Sequence, residues 1–241
     1  MNLCLQTVHE IRQEFARLYR KGEFVTDKSG VKTVEIIGAS FWANSPLIFG
    51  AVNEDYVKRE LDWYRSMSLY VSDIPGGAPK IWQQVACKNG RINSNYGWCI
   101  WSKENGNQYD NVVAELKKNP DSRRAVMIYT RPNMWNDYNE NGRSDFMCTN
   151  AVQYVLRNGK LNAIVQMRSN DAWAGYRNDF AWQKYVLNCV AEDINCAVGE
   201  IMWNVGSLHV YDRQFYLVDH YVKTGEISIT KEEYDALYKV E

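Results

Sequence analysis

Only three histidines occur in the chain, and no two of its six cysteines stand in the C-x-x-C spacing of a zinc or redox site. A zinc centre, which gathers its ligands from clustered Cys and His, is therefore not expected. An excess of charge of either sign is also missing: 28 Lys and Arg against 29 Asp and Glu leave a net charge of −1. No global basic field exists for a nucleic-acid polymer, so phosphate recognition has to come from local Arg or Lys groups. Long apolar runs are absent, and no stretch approaches the roughly 20 apolar residues that span a bilayer. The opening MNLCLQTVHEIRQEFARLYRKG lacks the apolar core of a signal peptide, which makes reduced cysteines and a cytoplasmic location the expectation. Repeats, low-complexity segments and Pro/Gly/Ser linkers are lacking too, and 241 residues suit one domain, residues 1–241.

Aromatic residues are what the chain has in plenty, with nine Trp and 16 Tyr. Each ring has two readings, core packing or the wall of a pocket for a flat ligand. Thr7 and Glu10 form a capping-box pattern ahead of Val8, Ile11, Phe15 and Leu18, which predicts a helix over 7–20. The β-branched run 33–42 reads as a strand, and 125–130 as a buried strand stopped by Pro132. Residues 54–67 read as a helix with Val57, Leu61 and Tyr64 on its apolar stripe, and Glu60 falls on that stripe. A carboxylate there either snorkels at the edge or is paired and put to use, since burial alone is costly. Two runs flanking Asn158-Gly159 predict a hairpin with a tight type I′ turn. Residues 180–194 read as a helix with Asn178 or Asp179 at its N-terminus, and a last helix is expected near 211–223. Strands and helices mix without regular βαβ alternation, so the fold class is α+β, helices on a large mixed or antiparallel sheet.

Four stretches carry groups suited to chemistry. Cys148, in SDFMCTNAVQ, stands just before the first hairpin strand; a free Cys is either a small buried hydrophobe or a nucleophile, and spacing alone does not choose. Arg123-Arg124 leads into an apolar strand, either as a solvated pair or as a clamp whose planar forks suit a phosphate. Arg168, Ser169, Asn170 and Asp171 are four polar residues where a hairpin strand ends, and Gly175 permits close backbone approach. Asp179 can serve as a helix N-cap or as a ligand-facing carboxylate. His209 and Tyr211, two apart in GSLHVYD, share one face if the segment is extended.

Taken together these stretches resemble the thymidylate synthase superfamily over nearly the whole chain. The phosphate motif PDSRR stands at 120–124, the R-S-x-D run at Arg168–Asp171 followed by Gly175, and the H-x-Y pair at His209 and Tyr211. The E-L-x-W helix matches Glu60–Trp63, the nucleophile matches Cys148, and a tyrosine before glycine matches Tyr96-Gly97. The departures point to the deoxycytidylate-hydroxymethylating branch of T-even-type phages: Thr149 follows the nucleophile, Asn178-Asp179 replaces Phe-Asn, and Lys28 replaces an Arg in the phosphate loop.

A physical argument links Asp179 to cytosine. Uracil offers an oxygen at position 4 and an N–H at position 3, which an amide complements; cytosine reverses both, offering an amino group and a bare nitrogen. A carboxyl group accepts from the amino group and, with a proton on itself or on the ring, completes the second bond. Facing uracil, a carboxylate sets acceptor against acceptor, at about 1–3 kcal/mol per unsatisfied group. The resemblance thus implies hydroxymethylation of dCMP with 5,10-methylenetetrahydrofolate as co-substrate and no metal. It implies Cys148 as nucleophile at carbon 6, Asp179 as the base-reading group, and Glu60 organising water and proton transfer. Lys28, Arg168, Ser169, Arg123 and Arg124 would hold the phosphate, the arginine pair coming from the second subunit of a homodimer. His209 and Tyr211 would bind the sugar, with Asn170 and Tyr96 also on the nucleotide, and Trp82, Asp171 and Gly175 on the pterin. A thymidylate synthase, a dUMP or CMP hydroxymethylase, and a nucleotide- or RNA-binding regulator are the competing readings.

Overall fold

The structure is a computed structural model that describes residues 6–26 and 30–238. Its strands are β1 (Gln6–Thr7), β2 (Val25–Thr26), β3 (Lys32–Trp42), β4 (Val126–Ile128), β5 (Thr149–Arg157), β6 (Lys160–Asp171) and β7 (Ala197–Tyr211). They form a seven-stranded sheet in the order β1-β3-β7-β6-β5-β4, with β2 paired to β3. The β1–β3 pair is parallel and the β3–β7 pair antiparallel, so the sheet is mixed, as expected for this α+β chain. The helices are α1 (Val8–Lys21), α2 (Glu54–Ser66), α3 (Lys80–Val85), α4 (Tyr96–Trp101), α5 (Gln108–Lys118), α6 (Met134–Asp137), α7 (Ala174–Asp193), α8 (Phe215–Thr224) and α9 (Lys231–Tyr238). None among the described residues is long and apolar enough to cross a membrane.

Two compact units are distinguished within the chain: Met1–Val52, Met167–Ala181 and Glu200–Glu241 form the first, Asn53–Gln166 and Trp182–Gly199 the second. In the first, α1 begins at the capping box, where Thr7 accepts from the His9 N–H and Glu10 accepts from the Thr7 N–H at 2.7 Å. It ends at Gly22, whose left-handed φ of 67° closes the last turn. Its stripe of Val8, Ile11, Phe15 and Leu18 is buried as the spacing predicts. The core continues through Phe41, Tyr176 and Trp203, the last two rings 5.3 Å apart edge to face. Along β7, Ile201, Trp203 and Val205 alternate inward, and Gly206 lets β6 come close: a Cβ there would lie 2.8 Å from the Arg168 carbonyl oxygen.

In the second unit the β5–β6 turn has Asn158 at φ 52° and Gly159 at φ 75°, the paired positive angles of a type I′ hairpin. The strand expected at 125–130 is shorter, Val126–Ile128, because the Tyr129 and Thr130 N–H groups both turn to the Asn150 carbonyl. The core here is a knot of rings. Tyr64 stacks on Tyr96 at 5.2 Å, and Trp182 meets Tyr64 edge to face while donating its indole N–H to Tyr129 at 3.1 Å.

Three sequence boundaries need correction. The helix expected from 180 begins at Ala174, so neither Asn178 nor Asp179 is its N-terminus; Asp171 accepts from the Trp173 N–H at 2.9 Å and starts the turn instead. Residues 197–211, where only extended character around 209–211 was considered, are one long strand. The last segment opens as a 3-10 turn at Asp212–Gln214 before α8.

Candidate active site

In the second unit the nucleophile candidate sits between two clamps. Burial alternates from 145 to 149: Asp145, Met147 and Thr149 are covered, while Phe146 and Cys148 are half-buried on the other face. Asp145 accepts from the Asn93 N–H (2.6 Å), the Ser94 N–H (2.8 Å) and the Ser94 hydroxyl (2.6 Å). On the other side of Cys148, the Thr149 hydroxyl donates to the Tyr96 hydroxyl at 3.0 Å. One short stretch, 93–96, therefore holds the chain on both flanks of the thiol. Burial pushes the Asp145 carboxyl above its usual range, against the pull of those donors and of Arg143. Burial also pushes the Cys99 thiol up to about 12 and raises Cys189 and Cys196, so these thiols are poorer nucleophiles.

The pairing of Tyr96 with Gly97 has a steric cause. A Cβ on Gly97 would lie 1.8 Å from the Tyr64 carbonyl oxygen, so only glycine lets α4 pack against α2. That contact sets the Tyr96 ring against Tyr64 and aims its hydroxyl at Thr149.

Glu60 is 5% exposed, which removes the reading in which it snorkels at the stripe's edge. Tyr56, one turn earlier, donates its hydroxyl to Glu60 at 2.7 Å and accepts the Trp82 indole N–H at 2.9 Å. Burial and the Glu60 carboxyl raise the Tyr56 phenol well above its ordinary range, so it stays a donor. The result is a linked carboxylate, phenol and half-buried indole on α2 and α3. Arg123 and Arg124 are exposed; Arg124 pairs with Glu115 at 3.0 Å, a contact of little energetic weight with the arginine 77% exposed.

In the first unit the end of β6 presents Arg168 exposed, Ser169 half-buried and Asn170 buried. Asn170 donates its amide to Asp179 Oδ2 at 2.8 Å, and its Oδ1 accepts the Trp203 indole N–H at 3.3 Å. Asp179 lies inside α7, held by this tertiary contact rather than serving as a cap. Gly175 leaves room for it, since a Cβ there would stand 3.1 Å from Asn170 Nδ2. On β7, His209 and Tyr211 share a face with rings 4.8 Å apart, and Arg213 lies over Tyr211 at 4.3 Å. Ser207 bridges His209 Nδ1 (3.3 Å) and Glu35, which stands opposite His209 in the register. Burial raises the carboxyl of Asp171 and lowers the imidazole of His209, each opposed by the other's charge, so both are driven towards neutrality. Lys28 lies outside the described residues.

Sequence reasoning missed Tyr56, Asp145 and Trp203. Tyr56 had a signal, since it precedes an inward carboxylate by four helical positions; the other two act across long sequence distances and had none.

The family model for thymidylate synthase matches residues 11–235. Deoxycytidylate 5-hydroxymethyltransferase of Enterobacteria phage T4 is 60% identical over 239 residues, covering 96% of this chain and 97% of that protein. The proteins of the same name from phages T6 and T2 are 60% and 59% identical over 240 residues, each covering 97% of this chain and 98% of the relative.

Proposed function

This chain belongs to the thymidylate synthase family, and we propose that it is a deoxycytidylate 5-hydroxymethyltransferase. It converts dCMP, 5,10-methylenetetrahydrofolate and water to 5-hydroxymethyl-dCMP and tetrahydrofolate. The observation that carries the cytosine assignment is the carboxylate of Asp179, held by Asn170 at 2.8 Å in a position where the family's uracil-reading members have an amide.

In this reading the Cys148 thiolate adds to carbon 6 of the base, which makes carbon 5 nucleophilic. Asp179 stabilises the ring protonated at position 3. Carbon 5 takes up the one-carbon unit, which the folate supplies at the oxidation level of formaldehyde. Loss of tetrahydrofolate and of the carbon 5 proton leaves an exocyclic methylene; water adds to it and the thiolate departs. The residues suit a pterin: Glu60 offers a buried acceptor for ring N–H groups, and Trp82, fixed through Tyr56, offers a flat wall. Asp171 and Gly175 belong to the same role, and Glu60 also orders water for proton transfer. Arg168, Ser169 and Lys28 bind the 5′-phosphate together with Arg123 and Arg124 of a second subunit in a homodimer, consistent with the exposure of that pair. His209 and Tyr211 bind the 3′-hydroxyl.

The test is purified protein with 5,10-methylenetetrahydrofolate and each of dCMP, dUMP and CMP, with products identified by mass. A gain of one hydroxymethyl group on dCMP is expected. Dihydrofolate formation with a methylated product, or preferential use of dUMP or CMP, overturns the assignment.

A further inference from the structure

We infer that Glu35 and Ser207 are positioning residues that fix the proton of His209 on Nδ1, so that Nε2 meets the sugar as an acceptor and the 3′-hydroxyl has to donate to it. The inference rests on the proposed reading of His209 as a group that binds the 3′-hydroxyl. A neutral imidazole carries its proton on either nitrogen, and a hydroxyl answers a donor or an acceptor equally well. Which 3′ substituents the ring tolerates therefore depends on which nitrogen is bare.

The strand register supplies a directed chain of donors within the first unit. Strands β3 and β7 run antiparallel with Glu35 opposite His209, and Ser207 lies two residues before His209 on the same face. The Ser207 hydroxyl has a single proton and donates it to Glu35, whose carboxylate only accepts. Ser207 Oγ, 3.3 Å from His209 Nδ1, then has only lone pairs to offer the ring, so Nδ1 carries the N–H. The Ser207 carbonyl, also an acceptor only, draws on the same imidazole. Burial drives the ring towards its neutral form against the charge of Asp171, so the second nitrogen is bare. Asp171 acts on the ring through its charge, while its Oδ1 accepts the Trp173 N–H at 2.9 Å. With Nδ1 engaged by Ser207, Nε2 is the nitrogen left for a ligand. A 3′ substituent that only accepts, such as a fluorine or an ester oxygen, sets acceptor against acceptor there, whereas a free hydroxyl does not.

The test reads the proton directly. Nitrogen-15 NMR of histidine-labelled protein at neutral pH, with His209 assigned by loss of its signals in His209→Gln, should show Nδ1 protonated and Nε2 bare. Glu35→Gln brings an amide donor to Ser207, releases the serine proton towards Nδ1 and should raise the Nε2–H form. Calorimetry then compares dCMP with its 3′-fluoro-2′,3′-dideoxy analogue. The wild type should bind the analogue at least roughly tenfold more weakly, and Glu35→Gln should narrow that ratio severalfold while dCMP binding changes little. A merely structural role for Glu35 weakens both ligands together and leaves the ratio intact. That result, or a wild-type spectrum with the proton on Nε2, overturns the inference; the wild-type spectrum decides it if Glu35→Gln does not fold. Equal wild-type affinity for dCMP and 2′,3′-dideoxy-CMP sinks the reading of His209 as the sugar contact instead, and with it the inference, so the two failures are separable.

Discussion

Replacing Gly97 with Ala should damage both stability and turnover, because the backbone contact it makes leaves no space for a methyl group. The added Cβ would fall 1.8 Å from the Tyr64 carbonyl oxygen, 2.6 Å from its carbonyl carbon and 2.8 Å from the Trp101 ring. A relaxed carbon-to-oxygen approach is about 3.3 Å, so α4 has to move from α2 by about 1.5 Å. Overpacking of this kind costs about 3 kcal/mol, the upper end of its usual range. The better helix propensity of Ala returns about 1 kcal/mol. The net loss of about 2 kcal/mol corresponds to a fall in Tm of roughly 4–8 °C for a chain of this length. Tyr96 moves with α4, and its hydroxyl holds Thr149 beside Cys148. Misplacement on that scale costs on the order of 100-fold in rate. Thermal unfolding followed by tryptophan fluorescence, with turnover measured at 25 °C where the variant remains folded, reads both effects. An unchanged or raised Tm together with wild-type turnover refutes the packing argument.

Tyr56→Phe removes the hydroxyl that joins Trp82 to Glu60; stability should fall by about 1–3 kcal/mol, and KM for the folate should rise while Kd for dCMP, measured by calorimetry, stays within twofold or so. On the proposed shared-site dimer, a chain carrying Cys148→Ala and a chain carrying Arg123→Ala should each lose turnover alone and regain part of it when unfolded and refolded together, because a mixed dimer would hold one site with both groups; no recovery argues against the shared-site dimer. Asp145 contributes a pH dependence. Its folded pKa is raised above the unfolded value of 3.8, so the folded state holds the proton more tightly. The contribution is fully present below 3.8 and is lost as pH rises through the folded value. Stability of the wild type relative to Asp145→Asn, from urea unfolding, should therefore increase as pH is lowered from neutral towards 4; a flat or opposite trend contradicts it.

Much of the scaffold could be read locally. The capping box at Thr7 and Glu10 and the turn at Asn158-Gly159 are short-range devices whose hydrogen bonds and φ angles depend on neighbouring residues alone. The position of Glu60 on an apolar stripe was legible, but it left an edge-snorkelling and a buried carboxylate both open, and the structure shows the buried one. The start of α7 was not legible, because Gly175 and the polar run beside it read as loop, whereas Asp171 and the Asn170–Asp179 contact support a helix there. Strand β7 was equally hidden: Gly199, Asn204 and Gly206 weaken its local β propensity, and its pairing with β3 imposes the extended form. Trp203 and Asp145 act on partners distant in sequence, and no local pattern announces such contacts.

The path of the chain between its two units has a consequence for biosynthesis. Strand β3 leaves the ribosome early, but its partner β7 follows much later; the Ser40–Asn204 side-chain bond alone closes 164 residues. The chain passes from one unit to the other after Val52 and again within β6, α7 and β7, so the second unit is complete only at Gly199 and the first only once the segment from Glu200 onward has emerged. Closing so large a loop is entropically costly and slow, and an edge of β3 waits unpaired meanwhile. Translation that stalls before residue 197 should leave a species with that edge exposed, prone to association with other nascent chains.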